Sequence, residues 1–238
     1  MAKRPGGEMA TRPLHFFWIA DCSGSMKGAK IQTLNFAIKD AIPEMVRVAD
    51  ENPNAQVLVR ALKFSNGAAW HVSTPTAVKD FKWEDLEADG LTDMGAALRL
   101  VANELKMASD GGPMTERALP PVLVLISDGQ PTDDFVGGLK ALMDMPWGKK
   151  AVRIAVAIGE DAAQEVLQAF IGNPDMKPLA ANNPEALVSH IKWVSTAVLK
   201  SASSPASTTK DAAVSGGNVP IPLPAAPDPN AGGGGDVW

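Results

Sequence analysis

The chain has 238 residues, 45% of them hydrophobic, so it is long enough to fold around the core of one large domain. Its formal net charge of −5 argues against a nucleic-acid-binding surface, and its single cysteine, Cys22, excludes a disulfide within the chain. Because no segment has the roughly 18 apolar residues that a membrane-spanning helix needs, and no signal peptide is recognisable, we expect a cytoplasmic protein that does not bind a membrane.

Composition divides the chain into three parts. Residues 1–12 are predicted to be a flexible N-terminus, and residues 13–200 a single folded domain. Residues 201–238 are rich in Ser, Ala, Pro and Gly, so we expect a disordered tail with too little apolar surface to offset the entropy of ordering it. The terminal Asp236-Val237-Trp238 could dock on the protein's own domain, with an inert tail as the alternative.

Strand-like and helix-like segments alternate along the domain. In chain order, the predicted elements are a strand at 14–20, a helix at 28–50, strands at 56–64 and 68–73, a helix at 93–107, a strand at 122–126, a helix at 132–143, a strand at 152–158, a helix at 162–170, a strand at 177–180 and a helix at 184–199. An Asn66-Gly67 turn joins the second and third strands and favours a tight hairpin. The pattern predicts an α/β fold with a doubly wound, mostly parallel six-stranded sheet, one antiparallel edge strand and helices on both faces.

Oxygen-bearing side chains follow the ends of two predicted strands. Asp21 ends the first strand and Asp128 follows the fourth, and ligands of open parallel sheets bind beyond such ends. If the two strands are neighbours, their carboxylates repel each other by roughly 3 kcal/mol at an effective dielectric constant of about 20, a cost that a divalent cation would remove. Ser23 and Ser25 lie two residues apart in the next loop, so both hydroxyls can turn inward. Thr92 adds a third hydroxyl from another loop.

These side chains offer only oxygen donors, which hard cations prefer. The predicted metal ligands are Asp21, Ser23, Ser25, Thr92 and Asp128. The three histidines are scattered and no cysteine cluster exists, which argues against zinc. Two carboxylates just balance a 2+ charge. Five donors leave the sixth position of an octahedral ion open, and a carboxylate of a partner would fill it. We therefore expect Mg²⁺, with Mn²⁺ or Ca²⁺ as alternatives.

The order and spacing of these donors resemble the metal-ion-dependent adhesion site of von Willebrand factor A (VWA) domains, over about residues 13–200. The matching residues are Asp21-x-Ser23-x-Ser25, the distant Thr92, and Asp128 at the start of an Asp-Gly turn. The resemblance implies a Rossmann-like fold and direct coordination by the two serines. It also implies direct coordination by Thr92 in the ligand-ready state, and direct or water-mediated binding by the two aspartates. The implied function is capture of an Asp or Glu side chain of a partner protein by the cation.

Two longer segments are similar to those of compact bacterial tellurium-resistance (TerY-like) proteins. These are residues 21–26, Asp-Cys-Ser-Gly-Ser-Met, and residues 126–133, Ile-Ser-Asp-Gly-Gln-Pro-Thr-Asp. This similarity implies a scaffold or sensor in bacterial stress or tellurite-resistance signalling, working with a protein kinase or phosphatase. The step is an association and not a physical derivation.

Two other functions stay open. One is a metal-independent structural component of a stress complex, and the other is a Mg²⁺-dependent hydrolase. Against catalysis, an aspartate-nucleophile phosphatase would need a second Asp where Ser23 stands. Ser25 also lacks the flanking glycines of a Gly-x-Ser-x-Gly nucleophile, and Asp93 is the one spare candidate base. We therefore expect a binding protein and not an enzyme.

Side chains beside the candidate ligands have ordinary interpretations as well. Asp93 is expected to be an acid at a helix N-terminus, with a role in cation affinity as the alternative. Thr132 is expected to be the N-cap of its helix, with Asp133 and Asp134 as acidic residues of the first turn. Lys27 and Lys30 are expected to be solvated, with steering of an acidic partner as the alternative. Cys22 is expected to be a small buried residue.

Overall fold

The computed structural model of the protein describes residues 11–203, in which helices flank a six-stranded sheet. The strands are β1 (Arg12–Asp21), β2 (Ala55–Ser65), β3 (Gly67–Ala77), β4 (Val122–Ser127), β5 (Val152–Ile158) and β6 (Leu179–Ala181). The α-helices are α1 (Ala29–Asp50), α2 (Met94–Glu104), α3 (Phe135–Asp144), α4 (Pro146–Lys150), α5 (Gln164–Ile171), α6 (Pro184–Trp193) and α7 (Leu199–Ser203). None of these helices combines the length and apolar character needed to cross a membrane.

The predicted flexible ends fall mostly outside the described part of the chain. The first strand begins at Arg12 and the last helix ends at Ser203, so the folded part extends slightly beyond the predicted domain limits of 13 and 200. Residues 1–10 and 204–238, with the tail and its terminal Asp-Val-Trp, are not among the residues that the structure describes.

The sheet confirms the predicted fold class. Its strand order is β3-β2-β1-β4-β5-β6, and every neighbouring pair is parallel except β2 and β3. The antiparallel pair is the predicted hairpin, in which Gly67 has φ 78°, a conformation that glycine adopts without strain. Strand order reverses between β1 and β4, so the carboxyl ends of these two strands border the crevice where open α/β sheets bind ligands.

The central strands are apolar on both faces because helices cover both. Phe16 and Trp18 of β1 pack in the cluster that includes α1 and α6, whereas Phe17 and Ile19 pack in the cluster that includes α2 and α5. β4 is divided between the two clusters in the same way. This two-sided burial explains why these strands are continuous apolar runs and not alternating ones.

A long loop between β3 and α2, which the sequence left unassigned, is fixed by a buried asparagine. Asn35 of α1 is 6% exposed, and its Oδ1 accepts hydrogen bonds from Trp83 Nε1 at 3.0 Å and from the Leu86 amide at 2.9 Å. Its Nδ2 donates to the Leu86 carbonyl at 2.9 Å. Because Asn35 satisfies the backbone of Leu86 in both directions, it holds the loop that leads to Thr92 against α1.

A second polar cluster, formed by His15, Arg60 and Glu104, lies on the α2 side of the sheet, where His15 and Arg60 are buried and the Glu104 side chain is 29% exposed. Arg60 is 2% exposed, and its guanidinium lies 4.5 Å from the ring centre of Phe17 and 5.2 Å from that of Trp70. It donates to Glu104 Oε2 at 2.5 Å. Burial, followed by the Arg60 charge, lowers the pKa of His15 to about 4. We call these three residues the Arg60 cluster.

Candidate metal centre

Asp21 forms the buried base of the candidate site. It is the last residue of β1 and is fully buried; its Oδ1 accepts the Ser23 amide at 2.8 Å and its Oδ2 accepts the Ser127 hydroxyl at 2.5 Å. Burial raises the pKa of the Asp21 carboxyl, although the hydrogen bonds from Ser127 and Ser23 oppose that shift. A buried carboxylate in this position is stabilised by any cation that reaches it.

The two serines continue from Asp21 toward Asp128. Ser23 is buried, whereas Ser25 reaches the surface, and their hydroxyl oxygens are 3.0 Å apart. The Ser25 hydroxyl then donates to Asp128 Oδ1 at 2.7 Å. A single 3₁₀ turn, Gly24–Met26, brings both hydroxyls to the same side of the loop. Four of the five predicted ligands therefore form one continuous hydrogen-bonded chain.

Thr92 reaches the same place from the loop before α2. A methyl group built on Gly129 would lie 3.6 Å from Thr92 Oγ1 and 3.8 Å from Ser25 Oγ, so both hydroxyls border the space beside this glycine. The Thr92 amide donates to Thr132 Oγ1 at 3.0 Å, and the Thr92 carbonyl accepts the Thr132 amide at 3.0 Å. The backbone of Thr92 is thus fastened to the loop that carries Asp128.

The donor set fits a hard divalent cation. Three neutral hydroxyls and two carboxylates converge here. Among residues 11–203, no three His, Cys, Asp or Glu side chains are grouped so that they could hold a metal ion. Oxygen donors without imidazole or thiolate are the set that Mg²⁺, Mn²⁺ and Ca²⁺ prefer. When bound, such an ion would act as an electrophile toward an incoming carboxylate, because the two aspartates do no more than balance its charge. Asp21, Ser23, Ser25, Thr92 and Asp128 would hold it.

The loop after β4 fixes the site in a way that the sequence analysis described wrongly. Thr132 was expected to be the N-cap, with Asp133 and Asp134 in the first turn, but the N-cap is Asp134, which accepts the Gly137 amide at 2.9 Å. Asp133 instead accepts the amides of Gly95 at 2.8 Å and Ala96 at 2.7 Å, and so caps the neighbouring helix α2. Capping across elements depends on tertiary packing, and for this reason local sequence gave no signal for it.

Asp93 lies at the N-terminus of α2, as expected, but its side chain bonds elsewhere. It occupies the position before α2, but its side chain makes no capping hydrogen bond there. Its Oδ2 accepts the Gly67 amide at 2.7 Å and its Oδ1 accepts the Thr132 hydroxyl at 2.9 Å. The carboxylate therefore joins the β2–β3 turn to the loop that holds Thr92, which makes it a brace behind the candidate ligand.

The two lysines beside the site differ from each other. Lys27 pairs with Asp89 at 2.7 Å, and both side chains are well exposed. Lys30 was expected to be solvated, but its side chain is only 22% exposed and its ammonium lies 2.6 Å from Oδ2 of Asp128, whose side chain is 1% exposed. The expectation was wrong for Lys30, because the first turn of α1 points this side chain at the end of β4 and not outward.

Cys22 is buried, as expected. It is 3% exposed and packs in the core with Trp18 and Met26. Burial raises the pKa of its thiol to about 12, so little of the reactive thiolate is present at neutral pH. Its role in this structure is packing.

Comparison with known proteins assigns the fold to a family. Residues 17–191 match the family model of the von Willebrand factor type A domain. No curated protein matches the chain. The chain is similar to the ArnB paralog VWA2 from Sulfolobus acidocaldarius, with 18% identity and a TM-score of 0.55 over 77% of this chain and 45% of that one.

Two further solved structures have a similar fold. Proximal thread matrix protein 1 from the mussel byssus, with a zinc-occupied MIDAS motif, is 15% identical with a TM-score of 0.57, over 82% of this chain and 49% of that one. The pilus adhesin SpaC from Lactobacillus rhamnosus GG is 13% identical with a TM-score of 0.60, over 81% of this chain and 31% of that one. The chain spans less than half the length of each of these three structures, and at such identities the likeness concerns the fold alone. Because the family model covers most of the chain, this protein belongs to the von Willebrand factor type A domain family.

Proposed function

We propose that this domain binds a divalent cation through the five predicted ligands and uses the cation to hold an acidic side chain of a partner protein. Domains of this family are generally protein-interaction modules. The observation that carries the proposal is the hydrogen-bonded chain from Ser23 through Ser25 to Asp128, next to the buried carboxylate of Asp21. Because three of the five donors are neutral hydroxyls, the bound ion would remain electrophilic toward a sixth, carboxylate ligand.

Titration with Mn²⁺, followed by electron paramagnetic resonance, tests the metal site without knowledge of the partner. We expect Ser23→Ala to weaken Mn²⁺ binding by about tenfold or more, as loss of even an indirect metal contact can do. Ser73→Ala, on an exposed position of β3, is the matched control and should bind as the wild type does. Equal binding by the wild type and Ser23→Ala would contradict the assignment. Zn²⁺ belongs in the competition series because the mussel relative holds zinc in its MIDAS motif.

For partner binding, we propose a metal-bridged contact that EDTA abolishes and excess Mg²⁺ restores. A pull-down from the native cell with the full chain, with and without chelator, measures it. Ser23→Ala should lose the same partners that EDTA removes. Partners that are retained equally under all of these conditions would contradict metal bridging.

We infer a finer role from the TerY-like segments. Residues 21–26 and 126–133 support a cytoplasmic scaffold or sensor in stress or tellurite-resistance signalling, with a protein kinase or phosphatase as partner. Recovery of such an enzyme in the chelator-sensitive fraction of the pull-down would support this role. Its absence from that fraction would contradict the kinase and phosphatase part while leaving the metal site untouched.

One observation favours an alternative function. Lys30 already neutralises Asp128, so the site could hold together without a metal, as part of a metal-independent structural component. The Mn²⁺ titration separates the two functions, because the alternative predicts no binding. A hydrolytic function has less support, because Asp93, the one spare candidate base, uses both carboxylate oxygens to brace Gly67 and Thr132.

A further inference from the structure

Lys30 places a positive charge inside the candidate metal centre. Its ammonium lies 2.6 Å from Asp128 Oδ2, while Oδ1 of the same carboxylate accepts the Ser25 hydroxyl at 2.7 Å. The Asp128 side chain is 1% exposed, so water cannot screen this pair as it screens an ion pair on the surface. One of the two carboxylates that would balance a metal ion is therefore already matched by a cation of the protein itself.

The position of Lys30 in its helix is unfavourable in two respects unless Asp128 compensates. Lys30 is the second residue of α1, and the N-terminus of a helix repels cations. The side chain is also 22% exposed, so its long stem is largely immobilised. Lys27, one turn earlier, remains well exposed and pairs with the exposed Asp89. The difference shows that the ion pair with Asp128, and not local sequence, draws the Lys30 side chain inward.

Space for the ammonium comes from the end of β5. A methyl group built on Gly159, which has φ 83°, would lie 3.5 Å from Lys30 Nζ. Lys30 thus lies between the carboxyl ends of β4 and β5, beside the crevice and not above it. It can move outward along the exposed side without disturbing the strands that hold the five candidate ligands.

We propose that Lys30 is an internal competitor of the divalent cation, so that metal binding requires its ammonium to leave Asp128. The proposal rests on the proposed function and adds regulation to it. Two carboxylates carry a charge of −2, and a dication beside a bound ammonium would bring +3 into the same small volume. Occupancy of the site would therefore rise only above a threshold metal concentration that Lys30 sets. The displaced ammonium would then add positive charge near an incoming carboxylate of the partner.

Matched lysine variants test the proposal with Mn²⁺ as the probe. Lys30→Met removes the ammonium and keeps the apolar stem, and Lys27→Met makes the same change of charge three residues away. We expect Lys30→Met to bind Mn²⁺ about tenfold more tightly than the wild type, equivalent to ~1.4 kcal/mol. Lys27→Met should stay within about twofold, because its partner Asp89 is well exposed and screened. Lys30→Gln, which can still donate to Asp128, serves as a second neutral variant if Lys30→Met folds poorly.

The outcomes separate this inference from the proposed function. If the wild type binds Mn²⁺ and Lys30→Met binds it more tightly, the result supports both the proposed function and the competition by Lys30. The proposed competition is overturned if both neutral Lys30 variants bind Mn²⁺ no more tightly than the wild type. It is also overturned if Lys27→Met gains as much Mn²⁺ affinity as Lys30→Met. Binding by Lys30→Met when the wild type binds nothing supports the competition and overturns the proposed function. Absence of binding in every variant overturns both.

Thermal unfolding gives a second readout that does not depend on affinity. In EDTA, Lys30→Met should melt below the wild type, because the buried Asp128 carboxylate loses its counter-charge. In saturating Mn²⁺ that difference in melting temperature should disappear, because the ion then supplies the counter-charge of Asp128. A difference of the same size under both conditions would mean that Lys30 and the metal do not exchange, and would overturn the competition.

Discussion

The domain buries charge in two places, and it does so in different ways. In the Arg60 cluster, the guanidinium lies against the rings of Phe17 and Trp70 and donates to Glu104. At the candidate metal centre, Asp21 and Asp128 lie among hydroxyls, at an edge where Ser25 reaches the surface. In the first place packing covers the Arg60 guanidinium while Glu104 stays 29% exposed, whereas the second place reaches solvent through Ser25.

The difference shows what buried charge does in each place. The Phe17 and Trp70 rings pack against Arg60, whose side chain is 2% exposed, so this side chain belongs to the core. Hydroxyls around Asp21 and Asp128 can each accept, donate or coordinate, so the same carboxylates can take a lysine or a metal ion. Four predictions, in order of decreasing effect, test whether the first cluster supports the fold and the second supports binding.

The largest effect is expected for Arg60→Ala. The substitution leaves a cavity beside Phe17 and Trp70 and removes the partner of Glu104, whose side chain is 29% exposed, so the free energy of unfolding should fall by about 2–5 kcal/mol, mainly through the cavity. Arg47→Ala, which breaks exposed pairs with Glu44 and Glu51, should cost less than about 1 kcal/mol. Urea denaturation measures both variants. A loss in Arg60→Ala no larger than that in Arg47→Ala would remove the distinction between the two regions.

The pH dependence of stability should show the effect of burying His15. Its pKa in the folded protein is lowered to about 4 from 6.5, so the unfolded chain takes up a proton first, and stability falls as pH falls through that interval. The loss assigned to His15 is roughly 3 kcal/mol. His15→Gln should flatten the dependence between pH 6.5 and 4, whereas His71→Gln, at a less buried histidine, should flatten it less. Identical slopes in the wild type and His15→Gln would contradict the burial argument.

Asp21→Asn should separate binding from folding. The amide can still accept a hydrogen bond from the Ser23 backbone, and the substitution removes a buried charge. In EDTA the free energy of unfolding should therefore stay the same or rise by up to ~1 kcal/mol. Mn²⁺ affinity should fall by about 100-fold, or ~2.7 kcal/mol. Asp144→Asn, at an exposed acid paired with Lys140, controls for the change of charge. Strong destabilisation of Asp21→Asn in EDTA would show that its carboxylate belongs with the core, as Arg60 does.

The smallest effect is expected for Asp93→Asn. Because its carboxylate bonds Gly67 and Thr132 and none of the candidate ligands' side chains, and because the amide keeps one acceptor, Mn²⁺ affinity should fall by no more than about tenfold, the lower end of the effect of an indirect contact. The same titration measures it. A loss of Mn²⁺ affinity as large as that of Asp21→Asn would indicate that Asp93 is itself a metal ligand.

The sequence was a good guide where function and local pattern coincide. From the sequence, the pairing of β1 with β4 was stated only as the condition for the two carboxylates to converge, and the structure meets that condition. It also brings Asp21, Ser23, Ser25 and Asp128 into one chain with Thr92 beside it, although metal binding by these residues stays a prediction.

What the sequence did not predict depends on packing between elements. Lys30 is an ordinary helical lysine until α1 is placed against the end of β4. By sequence Asp133 is a first-turn acid of its own helix, but it caps α2 instead. Asn35 carried no signal in the sequence, and it bonds the loop at Leu86. In each case one polar side chain is satisfied by a distant segment, and no local pattern carries that information.

The most direct test of the metal centre is anomalous scattering from crystals of the full chain grown with MnCl₂. The structure predicts one strong peak at the carboxyl ends of β1 and β4, within coordination distance of the Ser23 and Ser25 hydroxyls, with Thr92 facing it. Density for Lys30 should have moved away from Asp128. A map without a peak there, in crystals that contain ample manganese and in which the Lys30–Asp128 contact persists, would contradict the account.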